Sequence, residues 1–354
     1  MLFSFKYFLP LLVAAGLMVF LIPALIPMAR KVGLVARPGR RKQHIGEIPL
    51  VGGIAIALSL ALAILLFPGS FSNFRILFFC IGLLMISGVL DDQREITAAK
   101  KFALQFTAAL ILTILGNSVV TSLGDILNID RTIGLSVLAI PFSCISIVGA
   151  INSFNMIDGH DGLAAAIAAL SLSGLGFLLL IRGSVADLQY GILILLLLIL
   201  LVVFLLYNLS LLVNPKYKIF LGDAGSNFLG FVVAFFLIEF SQREIEIVSP
   251  SAAPWVIGLP LLDMLAVIIG RLVNRSSIIA PDRNHAHHVL KQFGLRDNYI
   301  LGVLAFVQGC FVCIAILGTL LEWPEWLLFW GIFPLLAIYL LGLRILRHHA
   351  ERKV

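Results

Sequence analysis

The sequence predicts an all-α, polytopic integral membrane protein, and three observations carry that prediction. Of the 354 residues, 60% are hydrophobic and 12% charged, with a mean hydropathy of +1.07, where soluble domains run at roughly 45–50% apolar and about 25% charged. The apolar residues gather into eleven runs, near 7–29, 50–67, 75–90, 102–116, 136–151, 162–181, 188–207, 226–240, 253–271, 299–320 and 326–345. Of the 25 Lys and Arg residues, 20 fall in alternate connections and the C-terminal tail, so the positive-inside rule puts the N-terminus outside and the C-terminus in the cytoplasm.

The first run, Tyr7 to Ala29, is too long for the apolar region of a signal peptide and lacks a small-residue cleavage site before the basic loop, so it reads as a permanent span. Runs such as 75–90 and 102–116 are short against ~30 Å of hydrocarbon and imply tilted or thin packing. Between the fourth and fifth runs, "NSVVTSLGDILNIDRTIGL" is long enough for a small outer hairpin. Cys80, Cys144, Cys310 and Cys313 all lie inside apolar runs. The "CFVC" spacing has no charged neighbour to lower a thiol pKa, so these read as packing residues rather than a redox pair. The net charge of +6 reports topology, and a nucleic-acid partner is excluded on that ground.

Four polar clusters share the predicted cytoplasmic side: "LDDQREITAAKK", "NSFNMIDGHDG", "NPKYKIFLGDAGSN" and "NRSSIIAPDRNHAHHVLKQFGLRDN". A single transmembrane domain is expected, its site built from loops 30–49, 91–101, 152–161, 208–225 and 272–298. A transporter or flippase, the rival class, needs polar groups at mid-depth and internal repeats. Only Asp263 and Glu239 hint at the former.

Each cluster has a plain reading beside the chemical one. Asp91 and Asp92 could cap a helix or mark the water boundary, but Lys100 and Lys101 follow two to three turns on and give the segment an acidic and a basic pair. In N-x-x-N-x-x-D, residues three apart share a helix face, so Asn152, Asn155 and Asp158 are expected to converge. Amide and carboxylate oxygens suit Mg²⁺, while the order of a calcium loop is absent. A polar turn punctuated by Gly159 and Gly162 would account for the glycines and Asp161, not for the asparagines. Asp223, flanked by glycines in "FLGDAGS", is an N-cap or the metal's second ligand. His285, His287 and His288 beside Arg283 lack the thiolate or H-E-x-x-H partners of zinc and suit a diphosphate. The basic stretch "RPGRRKQHIGEIPLVGG" serves topology or draws in an anionic lipid or nucleotide.

In this order and on one side, "LDDQRE", "NSFNMIDGHDG", "FLGDAGS" and "PDRNHAHH" resemble the polyprenyl-phosphate N-acetylhexosamine-1-phosphate transferases (glycosyltransferase family 4), over essentially the whole chain. The nearest branch by this resemblance is the bacterial one that makes undecaprenyl-diphosphate-GlcNAc for O-antigen, enterobacterial common antigen or teichoic acid. The resemblance implies a bacterial inner-membrane enzyme taking undecaprenyl phosphate and a UDP-N-acetylhexosamine, with GlcNAc expected and QuiNAc, FucNAc or MurNAc-pentapeptide as alternatives. It implies Mg²⁺, with Mn²⁺ as a substitute, held by Asn155 and Asp223. Asp91 and Asp92 would lie near the lipid phosphate with Lys101 as the basic partner. Asp158 and Asp161 would serve donor binding or catalysis, Asn152 and Arg283 substrate binding, and the three histidines the diphosphate. A homodimer stays open. His160 departs from the aliphatic residue usual in such proteins.

Overall fold

The computed structural model describes residues 5–37, 46–66, 71–94, 96–211, 213–275 and 285–351. Twelve helices account for most of them: α1 Phe5–Val32, α2 Gly52–Leu66, α3 Arg75–Arg94, α4 Ala98–Leu115, α5 Ala139–Ile157, α6 Leu163–Arg182, α7 Leu188–Asn208, α8 Gly222–Ser241, α9 Gly258–Val273, α10 Ala286–Phe293, α11 Asp297–Leu320 and α12 Glu325–Glu351. Among the described residues ten helical segments are long and apolar enough to cross a membrane, and α2 is a shorter apolar one. The all-α polytopic expectation holds.

Although α2 has only 15 residues, its path runs from one end of the bundle to the other. It starts where Gly53 N–H donates to Leu221 O at 2.9 Å, beside the start of α8. Just before α3 stands Phe74, whose ring meets Tyr190 at 5.0 Å and Phe235 at 6.0 Å, beside the start of α7 and the far half of α8. α3 then returns, and its last turn meets the first turn of α8. At that same end a two-stranded antiparallel pair, β1 Val35–Ala36 with β2 Ile48–Pro49, accepts Phe220 N–H at Pro49 O, 2.9 Å. The segment before α8 is thereby tied to the loop between α1 and α2.

α8 is the axis of the molecule: of its 20 residues all but Asp223 and Glu239 are buried. Small residues let neighbouring backbones approach it, as membrane helices require where apolar side chains gain nothing by leaving lipid. A Cβ on Gly88 of α3 would stand 2.2 Å from Ala224 Cα, one on Gly53 2.3 Å from Gly225 Cα, and one on Gly230 2.7 Å from Ala150 O of α5. At the opposite end the expected hairpin forms: Leu123 N–H donates to Ile133 O at 3.0 Å and Ile133 N–H to Gly124 O at 2.8 Å. Gln242, just past α8, fastens it by accepting Thr121 N–H at 2.9 Å and Ser122 N–H at 3.0 Å.

Helix ends differ from the apolar runs in a consistent way. α3 continues through Asp91 and Asp92, α4 begins before Lys101, and α8 begins before Asp223. The residues expected in loops 91–101 and 208–225 therefore include helical end turns. Hydropathy marks where apolar side chains stop, whereas a helix runs on until its backbone hydrogen bonds stop. All four cysteines are free, with Cys80 and Cys144 buried and Cys310 and Cys313 facing out from α11. Arg283, with 38–45 and 276–284 of the two longest predicted site loops, lies outside the described residues.

Candidate active site

The site is organised by the first turn of α8. Gly222 has φ +75°, open to glycine at little cost, and a Cβ there would lie 2.6 Å from Asp92 Oδ2. Asp92, from the last turn of α3, accepts the N–H of Asp223 at 3.0 Å and that of Ala224 at 3.4 Å. An N-cap normally comes from the residue preceding the helix; here another helix supplies the carboxylate, meeting the free N–H groups and the positive end of the α8 dipole. Asp92 thus has a structural task that locks α3 against α8.

Lys101 joins the remaining groups. Its Nζ lies 2.5 Å from Asp223 Oδ2, 2.9 Å from Asp91 Oδ2 and 3.4 Å from Asn155 Oδ1, so α3, α4, α5 and α8 meet around one ammonium. The side chains of Lys101 and Asp91 are only 16% and 13% exposed, where pairing is worth more than on an open surface. Asp91 Oδ1 also accepts Ile96 N–H at 3.0 Å, bracing the α3–α4 turn. Asn155 Nδ2 donates to Ser226 Oγ at 2.9 Å. One turn deeper, Asn152 Nδ2 donates to Gln105 Oε1 at 2.7 Å, and Gln105 Nε2 reaches Asn227 Oδ1 at 3.5 Å.

The expected convergence of Asn152, Asn155 and Asp158 is therefore spread over three levels. Three residues of helix rise by ~4.5 Å, so one face does not mean one point. Asn152 serves the deep amide layer, Asn155 faces Lys101, and Asp158 is the C-cap of α5. Asp161 takes a different partner, Lys218 Nζ at 2.5 Å, and that ammonium sits 5.6 Å from the Phe220 ring.

The histidine segment docks on the α5–α6 turn. A Cβ on Gly159 would lie 2.3 Å from His287 Nε2, so glycine is what lets the ring in. His160 Nε2 is 3.0 Å from Asp297 O; a carbonyl only accepts, so Nε2 is the donor, and His160 pins the turn to the start of α11. His287 is 3% exposed, and neither of its ring nitrogens has a hydrogen-bond partner among the described residues. Burial, with the neighbouring His288 and His285 imidazoles, pushes its pKa down to about 3, so the ring is neutral at neutral pH. His287 and His288 have ring centroids 4.2 Å apart, and His285 Nδ1 lies 2.8 Å from Asp263 Oδ2.

Asp223, Asn155 and Asp91 aim three oxygens at a single positive charge. Carboxylate and amide oxygens are hard donors, so this set fits Mg²⁺ chemically. Among the described residues no three His, Cys, Asp or Glu side chains form a complete cage, in keeping with an ion that retains waters and takes substrate phosphate oxygens as its other ligands. Gln105, Ser226, Asn227 and Lys218 were not singled out from the sequence. The first and third carried a readable sign, each four residues beyond a site residue, Lys101 or Asp223, and so on the same helix face.

A polytopic helical bundle whose acids, amides and cations gather at one end defines a membrane protein with its chemistry on one face. Residues 74–241 match the model of glycosyl transferase family 4. The chain is 33% identical over 328 residues to the undecaprenyl-phosphate alpha-N-acetylglucosaminyl 1-phosphate transferase of Escherichia coli O157:H7, covering 90% of this chain and 86% of that one. It is 34% identical over 315 residues to the transferase of the same name from Haemophilus influenzae (88% and 87% covered), and 32% identical over 316 residues to that of Yersinia pestis (89% and 83%). The chain belongs to glycosyl transferase family 4, as the four motifs implied.

Proposed function

We infer that the protein moves an N-acetylhexosamine 1-phosphate, GlcNAc 1-phosphate in the first instance, from its UDP-sugar to undecaprenyl phosphate. The products are UMP and the undecaprenyl-diphosphate sugar, the first membrane-bound intermediate of a cell-surface polysaccharide. The names of the relatives support the lipid acceptor and the sugar. The observation that carries the reading is the convergence of Asp91, Asp223 and Asn155 on the Lys101 ammonium at one end of the bundle. There a soluble nucleotide can meet a lipid phosphate. The distribution of Lys and Arg supports reading this end as the cytoplasmic one, and the bacterial relatives support an inner-membrane location.

An oxygen of the lipid phosphate attacks the β-phosphorus of the donor, and the bond from that phosphorus to the bridging oxygen breaks, so UMP leaves with the electron pair. A phosphate monoester has a second pKa near ~6 and is largely dianionic at neutral pH, so no strong base is required. Lys101 draws the anions together and holds Asp91 and Asp223 in place. Asp91 orients the attacking phosphate and takes any residual proton; Asp92 keeps α3 in register on α8. Asp223 and Asn155 would hold Mg²⁺, which supplies charge neutralisation for the diphosphate. The neutral His287, its ring nitrogens without a partner among the described residues, and its neighbours offer ring N–H groups to the donor, and Lys218 beside Asp161 stands at the donor's approach. Direct attack is preferred to a covalent aspartyl intermediate because Asp91 is already engaged by Lys101 and Ile96 N–H.

The test is UMP release by the purified protein given UDP-GlcNAc with and without undecaprenyl phosphate. Release that requires the lipid supports the reading. Release only with another UDP-sugar replaces the donor, and no release with any donor removes the reading.

A further inference from the structure

Asp263 is a charged residue in the second turn of the apolar α9, 1% exposed, and the reaction above makes no use of it. Burying a carboxylate there is costly unless it is fully engaged. It accepts three hydrogen bonds: from His285 Nδ1 to Oδ2 at 2.8 Å, and from Ala286 N–H at 2.9 Å and Tyr339 O–H at 2.8 Å to Oδ1. These donors come from the start of α10 and from the middle of α12, so the carboxylate draws the histidine segment down between two spans. A carboxylate can only accept, which fixes the proton on His285 Nδ1. Nε2 is left as the ring's other polar atom, with its direction set by two helices.

We propose that Asp263, braced by Tyr339, is a positioning residue for His285: it sets the direction of the ring, with Nδ1–H on the carboxylate, and is the counter-ion for the ring when Nε2 also carries a proton and donates it as a hydrogen bond to the donor's diphosphate. This rests on the reading of His285 as a contact to the donor. Carboxylate partners that orient metal-bound imidazoles are worth about 10–100-fold in activity, and loss of the orienting carboxylate in a Ser-His-Asp triad costs more, which sets the scale expected here.

Asp263→Asn separates this role from a packing role. The amide is nearly isosteric, and its oxygen must still face Ala286 N–H, because an NH₂ there would set donor against donor. Its nitrogen then faces His285 Nδ1 as a donor and forces the proton to Nε2. The ring still offers an N–H to bound donor, but as a neutral group without a counter-ion.

The experiment is ¹⁵N-histidine NMR of the labelled protein, with the His285 signals assigned by their loss in His285→Asn, together with steady-state kinetics for UDP-GlcNAc. Expected are a protonated Nδ1 in the wild type, a bare Nδ1 in Asp263→Asn, and kcat lower by about 100-fold with KM changed less than about threefold. A bare Nδ1 in the wild type overturns the proposal even if no variant folds. An unchanged tautomer in the variant, or wild-type turnover with an inverted tautomer, also overturns it. A wild type silent toward every nucleotide sugar removes the functional reading instead, and the role of Asp263 in the reaction with it; the spectra then still report whether Asp263 sets the ring.

Discussion

Gly88→Ala tests the link between packing and chemistry most sharply. The new methyl would stand 2.2 Å from Ala224 Cα and 2.5 Å from Ala224 N, both backbone atoms that cannot rotate aside. Reaching an ordinary 3.4 Å contact requires α3 and α8 to part by about 1.2 Å. Overpacking of this kind costs about 1–3 kcal/mol, offset in part by the 0.5–1 kcal/mol or so by which Ala outdoes Gly inside a helix. Function should suffer more than stability. Gly88 lies one turn from Asp91 and Asp92, which meet Lys101 and the α8 N-terminus, and displacement of a reacting group by ~1 Å costs on the order of 100-fold in rate. Gly82→Ala is the control, on the same helix with nothing within 4 Å of its new Cβ; it should match or slightly exceed wild type in stability. Thermal unfolding in one detergent and UMP release are measured for all three proteins. Wild-type turnover in a folded Gly88→Ala protein would refute the claim that the α3–α8 contact sets the site.

Three further outcomes follow from the same geometry. Mg²⁺ should raise the melting temperature of the wild type, by about 2.7 kcal/mol of stabilisation at one hundred times Kd, and leave Asp223→Asn nearly unmoved; equal shifts in both would place the ion elsewhere. Lys101→Met leaves Asp91 and Asp223 without their shared cation. It should lose about 1–3 kcal/mol, below the range for fully buried pairs because Asp223 is partly exposed, and regain more from Mg²⁺ than the wild type does. Glu246, between α8 and α9, has its carboxyl pushed up to about 7 by burial and then by Glu325, with Arg182 opposing. The folded state therefore binds the proton more tightly, and this contribution to stability is lost as pH rises from ~4.5 through ~7. Glu246→Gln should be more stable than wild type by about 1–2 kcal/mol at pH 8, a value discounted for partial exposure, and equal to it only below about pH 4. The opposite pH order would contradict the burial of that group.

Much of this architecture was legible because lipid removes alternatives: a long apolar run can only be a helix, and charge asymmetry orders the loops. Motif spacing brought out Asp91, Asn155, Asp223 and the histidines, since short polar clusters between apolar runs have few structural excuses. What stayed hidden were pairings across the chain. Nothing local says that Asp92 caps a helix 131 residues away, or that Asp161 answers Lys218 rather than the acids it resembles. Asp263 was visible as an odd charge in a span, but its meaning depended on His285 dipping into the bundle to meet it. Gln105 and Asn227 lie within apolar runs, and only the i, i+4 rows through Lys101 and Asp223 give them away.

In the proposed reaction the phosphate next to the sugar moves with it. UDP-GlcNAc labelled with ³²P at the β-phosphate, incubated with the purified protein and undecaprenyl phosphate, measures this directly after solvent partition. Label should appear in the organic phase, as lipid diphosphate, with unlabelled UMP released in equal amount. Label left in water as UDP, with only the sugar in the lipid, would mean that the bond broken lies on the other side of that phosphorus, and the mechanism derived from Asp91, Lys101 and Asp223 would be wrong.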